Sequence, residues 1–218
     1  MNTLQGVISA FISTRKLKNL SPHTIEFYRQ ILRKFLSFID AHRPDIPLDM
    51  IDHHLLRRYI ANLQERHSLG GVNHHIKVLK ILFKFMVEEG MVSENPSKKI
   101  SRLKVDQTVI PTFTDDQIKA MLQVTKGQRG FPGLRNNTLI TLLFDTGCRI
   151  SELLNLQLKD ILLDEKILNV TGKGGWGRVV PFGQRCLITL VKYLNTRNRL
   201  FGEGGFLFIT RSGRQLSL

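Results

Sequence analysis

Apolar residues recur at spacings of three and four along the first hundred residues, which is the period of an amphipathic helix. One such stripe follows Ser21 and Pro22, a helix cap with proline at the first helical position. This part of the chain is predicted to be a compact all-helical domain. The predicted helices run from about Leu4 to Phe11, from Pro22 past Ile39, from Asp52 to Gln64, and from near Gly71 to Gly90.

The pattern changes in the second half of the chain. Thr114 to Gln117 forms a capping box that opens a helix, and the stretch from Gly127 to Arg135 is interpreted as an exposed loop. The dense apolar run from Leu139 to Phe144 predicts a buried helix, and Gly147 stands where a left-handed cap would end it.

Two β-prone segments follow, Ile167 to Thr171 and Arg178 to Phe182, with a glycine-rich loop between them. They predict a hairpin whose loop is longer than a two-residue turn. A further amphipathic helix is predicted around Leu187 to Leu194, and a short strand at Phe206 to Ile209. The predicted fold class is therefore mainly α with a small antiparallel β-hairpin or sheet.

Asn95 and Pro96 end the helical region, and the basic stretch after them has little periodicity. We therefore expect a helical domain over residues 1–97, a basic linker over 98–111 that can follow a duplex, and an α+β domain over 112–218.

The charge of the chain is strongly positive, +14 with a pI near 10.2. Residues 1–100 carry 15 Lys and Arg against 9 Asp and Glu, net +6, and residues 101–218 carry 17 against 9, net +8. Both halves therefore favour a polyanion as partner, with binding that weakens steeply as salt rises. A solvated basic surface and an anionic membrane are the alternatives.

Targeting signals do not stand out in the sequence. The N-terminus lacks the pattern of a secretory signal, and the longest apolar run is far shorter than a membrane span. Cys148 and Cys186 lack metal-like spacing, which favours reduced thiols that line a core in a cytosolic protein.

Arg149 and Lys173 are the two cations that glycine-rich turns present. Arg149 falls between two predicted helices, where a guanidinium suits a phosphate that needs paired hydrogen bonds. Lys173 and Trp176 lie on the hairpin loop, from which a lysine could reach a backbone phosphate. The alternative is that Arg149 only solvates a tight turn and that Lys173 extends into water.

The other basic and polar residues are candidates for contact with this polyanion, and the resemblance given in the next paragraph implies that it is DNA. The lysines Lys77, Lys80 and Lys84 recur along one helix, and an exposed helix face is the alternative interpretation. The adjacent pairs His53 with His54 and His74 with His75 cannot hold one metal from a helix, because neighbours point about a hundred degrees apart. These histidines are predicted to be exposed or in contact with phosphate. The predicted DNA contacts are Arg57, Arg58, Asn73, Lys77, Lys80, Lys84, Lys98, Lys99, Arg102, Lys104 and Arg178, and no metal ligands are predicted.

Thr146-Gly-Cys-Arg-Ile-Ser-Glu-Leu153, then Gly172-Lys-Gly174, then Arg178-Val-Val-Pro181 closely resemble the tyrosine recombinase or phage integrase family. The resemblance extends through the whole chain. It implies a helical core-binding domain that clamps one face of double-stranded DNA, followed by an α+β catalytic domain. It also implies that Arg149 is the first catalytic arginine, which grips the scissile phosphate, and that Lys173 gives a proton to the departing 5′ oxygen.

The same resemblance implies strand cleavage and rejoining through a 3′-phosphotyrosine, with no metal or nucleotide cofactor. It also implies self-association into tetramers on DNA, and a cytoplasmic, nucleoid-associated location in a prokaryote. The family's His/Lys-x-x-Arg motif and nucleophilic tyrosine do not occur in these 218 residues after the hairpin. We therefore expect an incomplete catalytic domain that binds DNA without cleaving it.

Tyr193 is disfavoured as a nucleophile, because it lies on a core-like helix. Two other functions remain open at this point. One is a DNA-binding regulatory or architectural protein derived from a recombinase, and the other is a basic RNA-binding or structural protein.

Overall fold

The computed structural model describes residues 3–106, 109, 111–172 and 175–217. The chain divides into two compact units, Met1–Val109 and Ile110–Leu218, and each has a hydrophobic core of its own. This division falls inside the predicted linker 98–111, whose own limits stay a prediction.

Four helices build the first unit, and a side chain caps the start of each by accepting a backbone N–H from the first turn. They are α1 (Leu4–Leu17, cap Thr3), α2 (Pro22–His42, cap Ser21), α3 (His53–Gln64, cap Asp52) and α4 (Leu69–Glu88, cap Ser68). Short 3-10 helices lie at Leu48–Met50 and Pro96–Lys99. The four predicted helices are confirmed, although α1 continues well beyond Phe11.

Aromatic rings fill the core of the first unit. Phe35 and Tyr59 are fully buried, with ring centroids 5.1 Å apart. The hydroxyl of Tyr59 lies 2.8 Å from Nδ1 of His75, which is 6% exposed. Because burial disfavours the charged imidazolium, the pKa of His75 is lowered to about 4. The prediction that His75 is exposed or in contact with phosphate was wrong, because its ring is buried against Tyr59.

The second unit packs helices against a small sheet. The helices are α5 (Asp115–Gly127), α6 (Phe131–Thr146), α7 (Ile150–Leu154) and α8 (Gln184–Phe201), and the strands are β1 (Ile161–Leu162), β2 (Ile167–Thr171) and β3 (Gly177–Pro181). The strands are antiparallel in the order β1, β2, β3. The predicted capping box is confirmed, since Thr114 and Gln117 each accept the other's backbone N–H.

Three sequence predictions for the second unit were wrong. The apolar run from Leu139 to Phe144 lies on a helix, but this helix is not buried, because Leu142 is the one apolar residue of the run that is buried and Phe144 is 62% exposed. The stretch from Gly127 to Arg135 is not one exposed loop, because α6 begins at Phe131 with Pro132 in its first turn, where proline loses no helical hydrogen bond. Phe131 is buried against Tyr193, and this contact anchors the helix start. The stretch from Phe206 to Ile209 forms isolated bridges to Gln157 and Gln215 instead of a strand.

Arg197 holds the loop after α8. Its guanidinium is buried, and it donates to the main-chain carbonyls of Gly202, Gly204 and Phe206 and to Oδ1 of Asn198, over 2.6–3.2 Å. The carbonyl oxygens compensate the buried positive charge of the guanidinium. Because the carbonyls belong to the loop, the same bonds fix the path of its main chain.

Candidate nucleic-acid interface

The turn between α6 and α7 presents Arg149 to solvent. Gly147 ends α6 in the left-handed region, at φ 61°, as the sequence predicts. Arg149 is the N-cap of α7, and its side chain is 74% exposed. Leu153 and Leu154 of α7 and Leu156 after it are buried, so the helix is anchored while the guanidinium remains accessible.

The buried carboxylate of Glu152 fixes the orientation of the Arg149 side chain. Its carboxylate is 5% exposed and accepts the Arg149 backbone N–H at 2.8 Å and Arg149 Nη1 at 3.1 Å. Arg178 on β3 donates to the same carboxylate from both terminal nitrogens, at 2.8 and 2.9 Å. These bonds, with Arg178 contributing most, lower the pKa of Glu152 to about 2. The carboxylate is therefore ionised and joins the turn to the hairpin.

The sequence did not predict this role for Glu152. Its position three residues after Arg149 was a usable signal, because such a glutamate can reach back to the cap. Its partner Arg178 was predicted as a DNA contact. The structure pairs Arg178 with Glu152 and leaves the side chain 43% exposed, so contact with DNA stays a prediction.

The hairpin is confirmed, with β3 one residue earlier than predicted. Strands β2 and β3 pair from Ile167 with Pro181 to Thr171 with Gly177. Beyond this last pair, the Gly172 N–H donates to the Trp176 carbonyl at 2.8 Å. Trp176 is 83% exposed. Lys173, the predicted proton donor, lies outside the described residues, so its role rests on the motif alone.

The arginine turn is also tied to the start of α8. The carboxylate of Asp145, near the end of α6, accepts the N–H of Gly183, the N-cap of α8, at 2.6 Å. A negative charge at a helix N-terminus is stabilising. Burial and the nearby Asp145 raise the pKa of Cys186 to about 12, which keeps the thiol protonated and agrees with its predicted place in the core.

Most of the predicted DNA contacts are exposed in their own units. The exposed ones are Arg57, Arg58, Lys77, Lys84, Lys98, Lys99, Arg102, Lys104 and Arg178. Lys80 is half-buried, and Lys84 lies 3.6 Å from Glu88 across one turn of α4. Exposure makes these side chains available to a phosphate, while their contact with DNA stays a prediction.

Asn73 has a different environment from the basic candidates. Its amide nitrogen donates to the Leu103 carbonyl at 2.9 Å, and its amide oxygen accepts the Leu103 N–H at 2.8 Å. The side chain therefore fastens the stretch after the second 3-10 helix to α4. A base-reading role, which stays a prediction, would have to compete with these two bonds.

Two of the three tyrosines, Tyr59 and Tyr193, are buried and therefore poorly placed to attack a phosphate. Tyr193 is fully buried, and its hydroxyl donates to the Leu207 carbonyl at 2.9 Å. Burial raises its pKa to about 12. Tyr59 is buried and bonded to His75, and the Tyr28 ring packs 5.7 Å from the ring of Phe11.

Metal-binding clusters and membrane-spanning helices are absent from residues 3–106, 109, 111–172 and 175–217. This part of the chain holds no cluster of three or more His, Cys, Asp or Glu side chains that could bind a metal ion. None of its helices is both long enough and apolar enough to cross a membrane.

The chain matches DNA recombinases over both units. The phage integrase SAM-like domain matches residues 3–102, and the phage integrase family matches residues 111–218. The chain therefore belongs to the phage integrase family, that of the tyrosine recombinases.

Among its relatives, tyrosine recombinase XerC of Pelobacter propionicus is 33% identical over 90% of this chain and 66% of the relative. Tyrosine recombinase XerC of Alcanivorax borkumensis is 29% identical over 99% of this chain and 70% of the relative. Tyrosine recombinase XerD of Staphylococcus aureus is 28% identical over 92% and 68%. The chain thus spans about two thirds of the length of these curated relatives.

Solved structures share the fold. The Tn1549 transposon integrase in complex with a circular intermediate DNA superposes with a TM-score of 0.80 at 18% identity, over 100% of this chain and 74% of that one. A lambda integrase dimer bound to a COC′ core site gives 0.77 at 18% identity, over 99% and 59%. The predicted fold class, mainly helical with a small antiparallel sheet, is confirmed.

Proposed function

We propose that this chain supplies the DNA-gripping part of a site-specific recombinase of the tyrosine type, which cuts and rejoins DNA through a 3′-phosphotyrosine. The observation that carries the proposal is the exposed Arg149 guanidinium, which a buried Glu152 holds on a chain of net charge +14. Its recombinase relatives cover nine tenths of the chain or more, which supports the same function. Residues 1–97 would clamp the duplex, 98–111 would follow it, and 112–218 would carry the phosphate site.

Arg149 is suited to a phosphate in the transition state. One of its terminal nitrogens donates to Glu152, which orients the planar group, and the side chain is 74% exposed, so it is accessible to a phosphate. A donor that is fixed before the reaction stabilises charge as it builds on a pentavalent phosphorus. Lys173, by its place in the family motif, would protonate the departing 5′ oxygen. This chemistry requires neither metal nor nucleotide.

A second candidate function is DNA binding without cleavage, in a regulatory or architectural protein. The observation in its favour is that Tyr59 and Tyr193 are buried and hydrogen-bonded. Incubating the 218-residue chain with nicked duplexes and resolving the mixture under denaturing conditions tests this point. We expect no covalent adduct, and an adduct on Tyr28, Tyr59 or Tyr193 would contradict the expectation.

DNA binding is tested by measuring the affinity of the chain for a dye-labelled duplex, using fluorescence anisotropy over a range of salt concentrations. Arg149→Ala should weaken binding about ten-fold and reduce the salt slope by about one counterion, because one charged phosphate contact is lost. Lys126→Ala, which removes an exposed lysine at the end of α5, is the matched charge control. Equal loss in both variants would reduce Arg149 to a general surface charge, and equal affinity for structured RNA would favour the RNA-binding alternative.

Self-association on DNA is part of the proposal, because similar folds are described as a lambda integrase dimer on a core site and a tetramer on a Holliday junction. A cytoplasmic, nucleoid-associated location in a prokaryote follows from action on chromosomal or mobile DNA. Sedimentation of the chain with and without a duplex tests the assembly.

A further inference from the structure

Trp176 is the single tryptophan of the chain, and it is 83% exposed. An indole is a large apolar group that proteins ordinarily cover, and exposed tryptophans are frequent at binding sites. In this protein the ring belongs to the hairpin loop beside the arginine turn.

The main chain beneath this ring is fixed by the sheet. The Trp176 carbonyl accepts the Gly172 N–H at 2.8 Å, directly after the last paired residues, Thr171 and Gly177. Gly175, just before it, has a φ of 81°, which a residue with a side chain rarely adopts. The ring therefore projects from an anchored backbone, so little order is lost when it meets a flat surface.

The anchored backbone also touches the charged cluster. A Cβ placed on Gly172 would lie 3.5 Å from both Glu152 Oε1 and the Trp176 carbonyl oxygen, and 3.6 Å from Arg178 Nη1. The ionised Glu152 carboxylate is buried and its charge is compensated by the two arginines, whose side chains are 74% and 43% exposed for Arg149 and Arg178. An apolar ring beside two cations is complementary to a polyanion with flat apolar faces, which is the chemistry of a nucleic acid.

We propose that Trp176 packs its indole against a nucleobase of the DNA that Arg149 holds, as a wedge at a base step. This inference rests on the proposed function. It adds a contact to a base, in contrast to the contacts that arginines make with phosphates. Apolar side chains act as wedges where they partly unstack a base step, and stacking of an aromatic ring on a base tolerates any sequence. Trp176 would therefore add affinity that is insensitive to salt.

The single tryptophan makes the test direct, because all of the indole fluorescence of the chain comes from this residue. Duplex DNA is titrated into the 218-residue chain while the anisotropy of labelled DNA and the acrylamide quenching of tryptophan are measured in parallel. At saturation, stacking should lower the emission and reduce the acrylamide quenching constant about three-fold or more. An indole that remains as accessible in the saturated complex as in the unbound protein would overturn the inference.

Substitutions separate stacking from charge. Trp176→Ala should weaken duplex binding about ten-fold, while Trp176→Phe should stay within about two-fold of the parent chain, because a phenyl ring still stacks. The salt slope should be unchanged in both, unlike that of Arg149→Ala, which should fall by about one counterion. Val179→Ala, at an apolar residue of β3 that is 60% exposed, is the matched control and should bind normally.

Each failure has a different meaning. Unchanged affinity of Trp176→Ala would overturn the inference while the proposed function stands. Absence of any anisotropy change with duplex would overturn the proposed function itself. Protection of the indole on concentrating the protein without DNA would mean that another copy of the chain covers Trp176, and it would also overturn the inference.

Discussion

At the residue scale, Glu152 joins two parts of the chain through one carboxylate. It accepts four hydrogen bonds, three from guanidinium nitrogens and one from a backbone N–H. A buried carboxylate is stable only while such partners surround it, and the guanidinium groups in turn depend on it for their orientation.

We expect Glu152→Gln to lower the free energy of unfolding by about 1–3 kcal/mol, because two cations lose their shared counter-charge. It should also weaken DNA binding, although the variant loses a negative charge and its net charge becomes more positive. Asp116→Asn is the control, since it makes the same charge change at a side chain that is 91% exposed. Chemical denaturation and anisotropy measure both effects, and tighter DNA binding by Glu152→Gln would contradict the positioning role.

The lowered pKa of His75 should make the stability of the first unit depend on pH. The unfolded chain takes up a proton near pH 6.5, whereas the folded chain resists it until about pH 4, so stability falls as the pH drops through this window. The loss should reach about 3 kcal/mol at most. Lys34, His67 and His74 add to it, because their positive charges also disfavour the imidazolium.

The double variant Tyr59→Phe with His75→Leu should abolish this pH dependence, because it removes the titrating group together with its buried partner. His74→Gln, at the exposed neighbour, should retain it. Urea denaturation at pH 7 and pH 5 measures the difference. An equal loss of stability in the parent chain and in the double variant would rule out His75 as the source.

At the element scale, the tight connection between α5 and α6 depends on Gly133. A Cβ at this position would lie only 2.0 Å from the backbone oxygen of Gln128, closer than atoms can approach. Gly133→Ala should therefore destabilise the second unit by about 2–4 kcal/mol, since backbone must move. Gly127→Ala is the control, because nothing lies within 4 Å of its Cβ position. Thermal denaturation of both variants tests the contact, and a stable Gly133→Ala would contradict it.

Local chemistry explains which elements could be predicted. Ser21 with Pro22, the Thr114 capping box and Gly147 act within one turn of themselves, so the sequence predicted those helix ends. The start of α6 at Phe131 depends on its contact with Tyr193, far along the chain, and was missed. The pairing of Arg178 with Glu152 was missed for the same reason, because the two residues are 26 positions apart. Arg149 could be identified because its turn is defined by neighbouring residues.

At the scale of the whole molecule, the two units differ in their histidine content. All seven occur at or before His75, so the second unit contains none. Between pH 7 and pH 5 the charge of the first unit therefore changes, while that of the second hardly does.

We expect acidification over this range to increase hydrogen exchange in α3 and α4 while α6 and α8 keep their protection. Mass spectrometry of exchanged peptides resolves the two units in the intact chain. Glu152 would begin to lose its ionic bonds only below about pH 4.5, toward its pKa of about 2. Earlier or simultaneous loosening of α6 and α8 would contradict this order.

The bond between Glu152 and Arg178 also sets an order of assembly. A chain made from its N-terminus carries Glu152 out of the ribosome 26 residues before Arg178. During that interval Glu152 has only its local partner, Arg149, and the hairpin that carries Arg178 has not yet been made. The ability to hold a phosphate therefore matures late in synthesis, and a nascent chain that already shows Arg149 is still a poor ligand for nearby nucleic acid.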